Sequence, residues 1–192
     1  MCFRFFYSLQ KSWCFRKQLK RYLQDQSLQI AHMQDISRTD LDDRGIKALV
    51  LDYDGVLAAH GEASPRPEVM QYLSLYFKNS ATLPIYILSN KPTSVRQEFF
   101  KKNFPEIIFI KAKRKKPYPD GLQQILMASN LQPRQILLVD DRLCTGVLAT
   151  AIVGTQAFLV TDPYINLKSR PITETWFIFL RWIEKKLINS IT

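Results

Sequence analysis

Leu51-Asp52-Tyr53-Asp54-Gly55-Val56-Leu57 is the stretch on which the fold of this chain turns. An apolar run, Ala48 to Leu51, leads into two carboxylates separated by one residue. Such a run reads as a buried strand. Two acids at its carboxyl end then lie where parallel α/β sheets place their ligands. Alternation along an extended chain points Asp52 and Asp54 the same way, and Gly55 lets the backbone turn sharply behind them. A solvated acidic turn would carry the same letters, so the rest of the chain has to decide.

Upstream, Ser37 offers a cap for a short helix that stops at Arg44-Gly45, and the first strand runs from Ile46 to Asp52. Downstream, Ala58 to Pro67 reads as a loop and Glu68 to Lys78 as a helix with Val69, Leu73, Tyr76 and Phe77 on one face. The second strand, Leu83 to Leu88, ends in Ser89-Asn90, and a helix from Pro92 runs through Phe100. Glu106 to Ile110 is a third strand, followed by Lys111, Lys113, Arg114, Lys115 and Lys116 and closed by Pro117-Tyr118-Pro119. A helix over Asp120 to Ser129 leads to a fourth strand, Gln135 to Val139, which ends in Asp140-Asp141. A helix over Val147 to Ala151, a fifth strand over Gln156 to Val160 and an aromatic helix over Glu174 to Leu187 complete the chain. Five apolar runs alternating with helices make βαβ units. The expected fold is α/β: a doubly wound, three-layer, Rossmann-like domain on a mainly parallel five-stranded sheet.

A length of 192 residues suits one domain with a substantial core, and 46% hydrophobic content excludes a disordered chain. The net charge of +10 calls for an acidic partner: an anionic lipid surface, a nucleic acid or a phosphorylated substrate. Cys2, Cys14 and Cys144 have no framework spacing, which argues against a disulfide scaffold or a cysteine zinc site. No apolar run reaches the ~18 residues of a membrane span. Residues 1–24 stand apart from the expected domain over 25–192. Arg4, Lys11, Arg16, Lys17, Lys20 and Arg21 alternate there with Phe3, Phe5, Phe6, Tyr7, Trp13, Phe15 and Tyr22, and no acid precedes Asp25. Three readings fit: an interfacial helix on an anionic membrane, a helix packed on the domain, or a mitochondrial-type presequence.

Strand ends now collect on one sheet edge: Asp52 and Asp54, Ser89 and Asn90, Asp140 and Asp141, with Lys116 entering from the loop after strand three. Each alone has an ordinary explanation as a turn, cap or solvated face. Together they suit one chemistry. Acids can hold Mg²⁺, which keeps waters and phosphate oxygens in its shell. A metal and a lysine neutralise a phosphoryl group, so that a carboxylate can attack phosphorus while a second one moves the proton.

The order Asp-x-Asp-Gly-Val, Ser-Asn, Lys-Pro, Asp-Asp resembles the four motifs of the haloacid-dehalogenase-type phosphohydrolases. It is closest to the YqeG-like subfamily IIIA branch, which includes phosphatidylglycerophosphate phosphatases. There the second motif is Ser-Asn, as in Leu88-Ser89-Asn90, and the third resembles Lys111-Ala112-Lys113-Arg114-Lys115-Lys116-Pro117. The resemblance implies Asp52 as nucleophile and Asp54 as general acid/base. It further implies Asp52, Asp141, Asp140 and the backbone carbonyl of Asp54 around Mg²⁺, with Ser89 and Lys116 on the phosphoryl oxygens. Asn90, Lys113 and Arg114 are expected to contact substrate. Two departures stand out: Gly55-Val56 replaces this branch's usual Asn-Thr, and Gly146 replaces the fourth motif's second acid. Either Asp140 substitutes for that acid or the metal site is weakened.

The gaps at Ala58–Pro67 and Lys111–Pro119 are too short for a cap domain. An open site implies a large substrate, and the basic aromatic segments favour a membrane surface ahead of nucleic acid. The expected reaction is dephosphorylation of phosphatidylglycerophosphate at an anionic lipid surface. The expected location is cytoplasmic and peripheral on the inner face of the membrane, or mitochondrial in a eukaryotic source. The alternatives are the same chemistry on a phosphoprotein, a nucleic-acid end or a soluble phosphomonoester, or a degenerate binding domain. A response receiver does not fit, because Phe109-Ile110-Lys111 lacks the phosphoacceptor acid after strand three.

Overall fold

A computed structural model describes residues 2–78 and 83–190; residues 1, 191 and 192, the outermost positions of the two expected segments, lie outside them. The chain forms α1 (Cys2–Cys14), α2 (Arg16–Gln24), β1 (Gln29–Ile30), α3 (Arg38–Asp43), β2 (Ala48–Leu51), α4 (Pro67–Lys78) and β3 (Ile85–Ile87). It continues with α5 (Ser94–Asn103), β4 (Ile108–Phe109), α6 (Asp120–Ser129), β5 (Ile136–Asp140), α7 (Leu148–Val153), β6 (Gln156–Val160) and α8 (Pro171–Ser190). A π-helical turn, Leu143–Val147, opens α7.

Local chemistry sets the element ends. Ser37 Oγ accepts from the Asp40 amide at 3.0 Å and the Asp40 carboxylate accepts from the Ser37 amide at 3.0 Å, so the first turn of α3 is closed reciprocally. β3 begins after Pro84, which has no amide to donate to a ladder. α5 begins at Ser94 because Thr93, not Pro92, is its cap. Asn130 ends α6 in the left-handed region, at φ 54°.

Among the described residues the six strands are all parallel, in the order β1-β6-β5-β2-β3-β4. The expected sheet had five strands. The sixth is β1, whose two residues pair Gln29 with Leu159 and Ile30 with Val160. Two residues fall below any length at which periodicity identifies a strand. β4 also contracts to Ile108–Phe109, since it is an edge strand paired with β3 alone.

Alternation sorts the side chains into two layers. Leu49, Leu51, Leu137, Val139 and Phe158 pack with Val69 and Leu73 of α4 and Phe100 of α5. Ala48, Val50 and Leu138 pack with Leu122 and Ile125 of α6 and Ala149 of α7. On that second side a further cluster joins Leu19 and Tyr22 of α2 to Leu148, Leu159 and Ile188. The doubly wound three-layer expectation holds. β2 lies centrally, between β3 and β5, where successive strands diverge to opposite sides; ligands of open α/β sheets bind at that switch point. Neither connection expected to be loop-sized, β2 to α4 or β4 to α6, contains an inserted domain.

Leu19 is fully buried against α7, β6 and α8. Leu19→Ala should cost about 2–5 kcal/mol in urea unfolding. A loss below about 0.5 kcal/mol would show that α2 is not part of the core.

Candidate active site

β2 and β5 run in register, Leu51 beside Val139, so Asp52 leaves the sheet next to Asp140. Between them stands Lys116, whose Nζ lies 3.0 Å from Asp52 Oδ1 and 2.5 Å from Asp140 Oδ2. Its side chain is 2% exposed. Two backbone contacts fix it there: its amide donates to Asn90 Oδ1 at 2.8 Å, and its carbonyl accepts from Arg4 Nε at 2.7 Å. Asn90, expected on substrate, therefore uses its carbonyl oxygen to place the lysine. Ser89 is buried beside it, its Oγ accepting from the Lys91 amide at 3.0 Å and so keeping its own hydrogen to donate.

The glycine in the fourth motif has a steric reason. A Cβ on Gly146 would overlap the Asp140 carboxylate. Asp140 turns into that space, accepts from the Arg142 amide at 2.9 Å through Oδ1 and holds Lys116 through Oδ2. Gly55, at φ 87°, is constrained likewise, since a Cβ there would lie 2.6 Å from Asp141 Oδ2.

Both remaining acids are paired to arginines that sequence reasoning passed over. Arg181 Nη1, from α8, lies 2.5 Å from Asp141 Oδ2. Arg96, from α5, reaches Asp54 with both terminal nitrogens, at 2.6 and 3.1 Å. Its Nε donates to the Glu62 carbonyl, and its guanidinium lies 3.8 Å over the Tyr53 ring. Gly61 donates to Asp54 as well, at 3.0 Å.

The electrostatics follow. Burial pushes the Asp52 carboxyl up to about 7; Lys116 opposes the rise and Asp140 and Asp54 add to it. Burial lifts Asp141 to about 6 against the pull of Arg181. Asp54 is held below the ordinary carboxylate range: its burial works upward, but the hydrogen bonds and charge of Arg96 outweigh it. Asp54 is thus an ionised acceptor near neutral pH.

Residues around the site divide. Lys113 is exposed, and Arg114 is engaged outside the site with Asp120, at 2.9 Å, and over the Tyr118 ring, at 4.4 Å. His60 is buried, paired with Glu174 at 3.1 Å and stacked on Phe177 at 3.7 Å. Cys144 sits in the π-helical turn with its thiol pushed up to about 12 by burial, which removes it as a nucleophile. One signal for the α8 contribution was legible in the sequence. Glu174, Arg181 and Glu184 recur on one face of an otherwise aromatic helix, and all three are buried. Arg96 left no such signal in α5.

The donor set fits Mg²⁺. Asp52, Asp140 and Asp141 offer hard carboxylate oxygens within 4.8 Å of one another. Lys116 meets Asp52 through Oδ1 and Arg181 meets Asp141 through Oδ2, whereas both Asp140 oxygens are hydrogen-bonded. The carboxyls lifted by burial are those a divalent cation would relieve.

Gly146→Ala should force the Asp140 carboxylate off Lys116 and cost about 1–3 kcal/mol of stability, read by thermal unfolding. Mg²⁺ affinity, measured by calorimetry, should fall in the same variant. Unchanged stability and affinity would refute the steric account.

No curated protein matches the sequence. Among solved structures, a haloacid dehalogenase-like hydrolase from Streptococcus pneumoniae aligns at 16% identity with a TM-score of 0.48, over 68% of this chain and 91% of that one. A subfamily IA hydrolase of the same superfamily from Geobacter sulfurreducens aligns at 17% identity and 0.44, over 68% and 96%. An enzyme of that family from Bacteroides thetaiotaomicron, in complex with magnesium and inorganic phosphate, aligns at 15% identity and 0.42, over 59% and 93%. Residues 14–154, a span that includes every motif from Asp52 to Gly146, match the haloacid dehalogenase-like hydrolase family, and the chain belongs to it.

Proposed function

We propose that the chain is a Mg²⁺-dependent phosphomonoester hydrolase working through an aspartyl-phosphate, and that its substrate is phosphatidylglycerophosphate. The observation that carries the chemistry is the buried Lys116 shared between Asp52 and Asp140, beside Asp141. Three carboxylates face Lys116 and Arg181 there, and a divalent cation would offset the carboxylate charge before a phosphoryl dianion enters.

Asp52 and Asp141, with the carbonyl of Asp54, would hold Mg²⁺, which supplies charge neutralisation at the phosphoryl oxygens. Lys116 fixes the orientation of Asp52 and shares the phosphoryl charge, and Ser89 donates to a phosphoryl oxygen. Asp52 attacks phosphorus in line as the leaving oxygen departs. Asp54, ionised against Arg96, is set up for the second half: it takes a proton from the water that hydrolyses the acyl phosphate. Its donation to the leaving oxygen in the first half requires a proton, and hence an opened Arg96 pair. Asp140 acts through Lys116, since both its oxygens are engaged.

The lipid assignment rests on the resemblance, on the lack of an inserted domain in the β2–α4 and β4–α6 connections and on the basic charge. Gly146 does not argue for a degenerate domain, because its space is filled by a working acid.

Phosphate release should be measured with Mg²⁺ and with chelator across phosphatidylglycerophosphate in micelles, phosphopeptides, nucleic-acid ends and small phosphomonoesters. The lipid should be preferred, and Asp52→Asn should lose at least about a thousandfold in kcat. Activity retained in that variant would remove the nucleophile assignment. Preference for another arm of the panel would remove the lipid and leave the chemistry. Arg96→Leu should lower kcat more than it raises KM, because it leaves Asp54 without its partner.

A further inference from the structure

The two terminal helices are built inside out. The inward stripe of α1 is polar at i, i+4 and i+8. Arg4 donates to the Lys116 carbonyl, Ser8 Oγ donates to the Cys144 carbonyl at 2.7 Å, and Ser12 is buried. Four of its aromatics face away, with Phe3 88% and Trp13 59% exposed and Phe5 and Phe6 likewise outside, while Tyr7 stacks on Tyr118. α8 repeats the arrangement. Glu174, Arg181 and Glu184 point inward to His60, Asp141 and Arg142, while Trp176, Phe179 and Trp182 are on the outside. An ordinary surface helix buries its apolar stripe and solvates its charges.

Both helices grip one turn. The Cys144 peptide is held through its carbonyl by Ser8 of α1 and through its amide by Glu184 of α8, at 3.3 Å. Both helices therefore sit against the turn that follows Asp140 and Asp141. A groove of about 680 Å³ lined by Phe3, Phe6, Tyr7, Leu9, Trp13 and Tyr118 leads along α1 to the loop that carries Lys116. The sequence of α1 holds no acid, and the two acids of α8 are buried and paired. Cations edge the aromatic rows: Lys11 lies over Tyr7, Arg16 over Trp13 and Lys186 over Trp182. Exposed apolar rows with basic edges and no opposing charge match an anionic bilayer, which takes aromatics at the headgroup level and attracts lysine and arginine.

We infer that the outer faces of α1 and α8 form one docking surface that seats on an anionic lipid bilayer, with the mouth of the active site at its rim. The purpose of this surface rests on the lipid-phosphatase reading; its physics does not.

All three tryptophans of the chain, Trp13, Trp176 and Trp182, lie on these faces, so intrinsic fluorescence reports the surface directly. The full chain, as wild type and as the inactive Asp52→Asn variant, is titrated with vesicles of phosphatidylcholine alone and of phosphatidylcholine containing about one-third phosphatidylglycerol. Emission should shift to the blue, and the protein should float, with the anionic vesicles only. Both effects should weaken at about 1 M salt, where the Debye length is about 3 Å. Phe6→Ser and Trp182→Ser, exposed and outside the core, should each reduce partitioning about tenfold with unchanged thermal unfolding. No shift with either vesicle would overturn the inference. So would a shift that grows with protein concentration in the absence of lipid, accompanied by a dimer in sedimentation, which would assign the surface to a second copy of the chain. Vesicle binding by a protein that releases no phosphate from lipid would leave the docking surface standing and remove the substrate reading.

Discussion

Everything at the sheet edge depends on keeping one ammonium group dry. Lys116 sits between Asp52 and Asp140 almost out of contact with water. Taking such charges out of solvent costs several kcal/mol per ion unless the geometry and remaining hydrogen bonds are nearly complete. The surroundings supply that completeness. Asn90 and Arg4 fix the lysine backbone, the Arg142 amide takes the other Asp140 oxygen, and two glycines leave room for the carboxylates. Residues from the first helix, from the ends of three strands and from the π-helical turn thus serve one ion pair.

The same constraint explains what was legible in the sequence. Asp52, Asp54, Ser89 and Asp140-Asp141 were found because each ends an apolar strand, and period and strand end are local properties. Lys116 could be chosen from its run because a Pro follows it. The arginines behind the acids were not legible. Arg96 lies in a helix whose pattern is otherwise unremarkable, and its partner is 42 residues away. Arg4 meets Lys116 across 112 residues. Pairings of that range are set by the tertiary fold. β1 escaped for a different reason: two residues cannot show a period.

Gly146 is instructive because the letter and the space say different things. As a letter it is a missing acid in a metal motif. In the structure it is the room that lets the preceding acid turn inward. The glycine thus serves Lys116, by leaving Asp140 the space from which it holds the ammonium group.

The loop beyond Asp54 is tied down at three points. The Tyr53 hydroxyl donates to the Ala63 carbonyl, Arg96 Nε donates to the Glu62 carbonyl, and the Gly61 amide donates to Asp54. Three such anchors hold the segment against α5 and oppose its swinging as a hinged flap. It also ties α5 and the loop together through Arg96. Grafting a different loop onto this scaffold without its matching Arg96 would strand an unpartnered carboxylate next to the reacting centre.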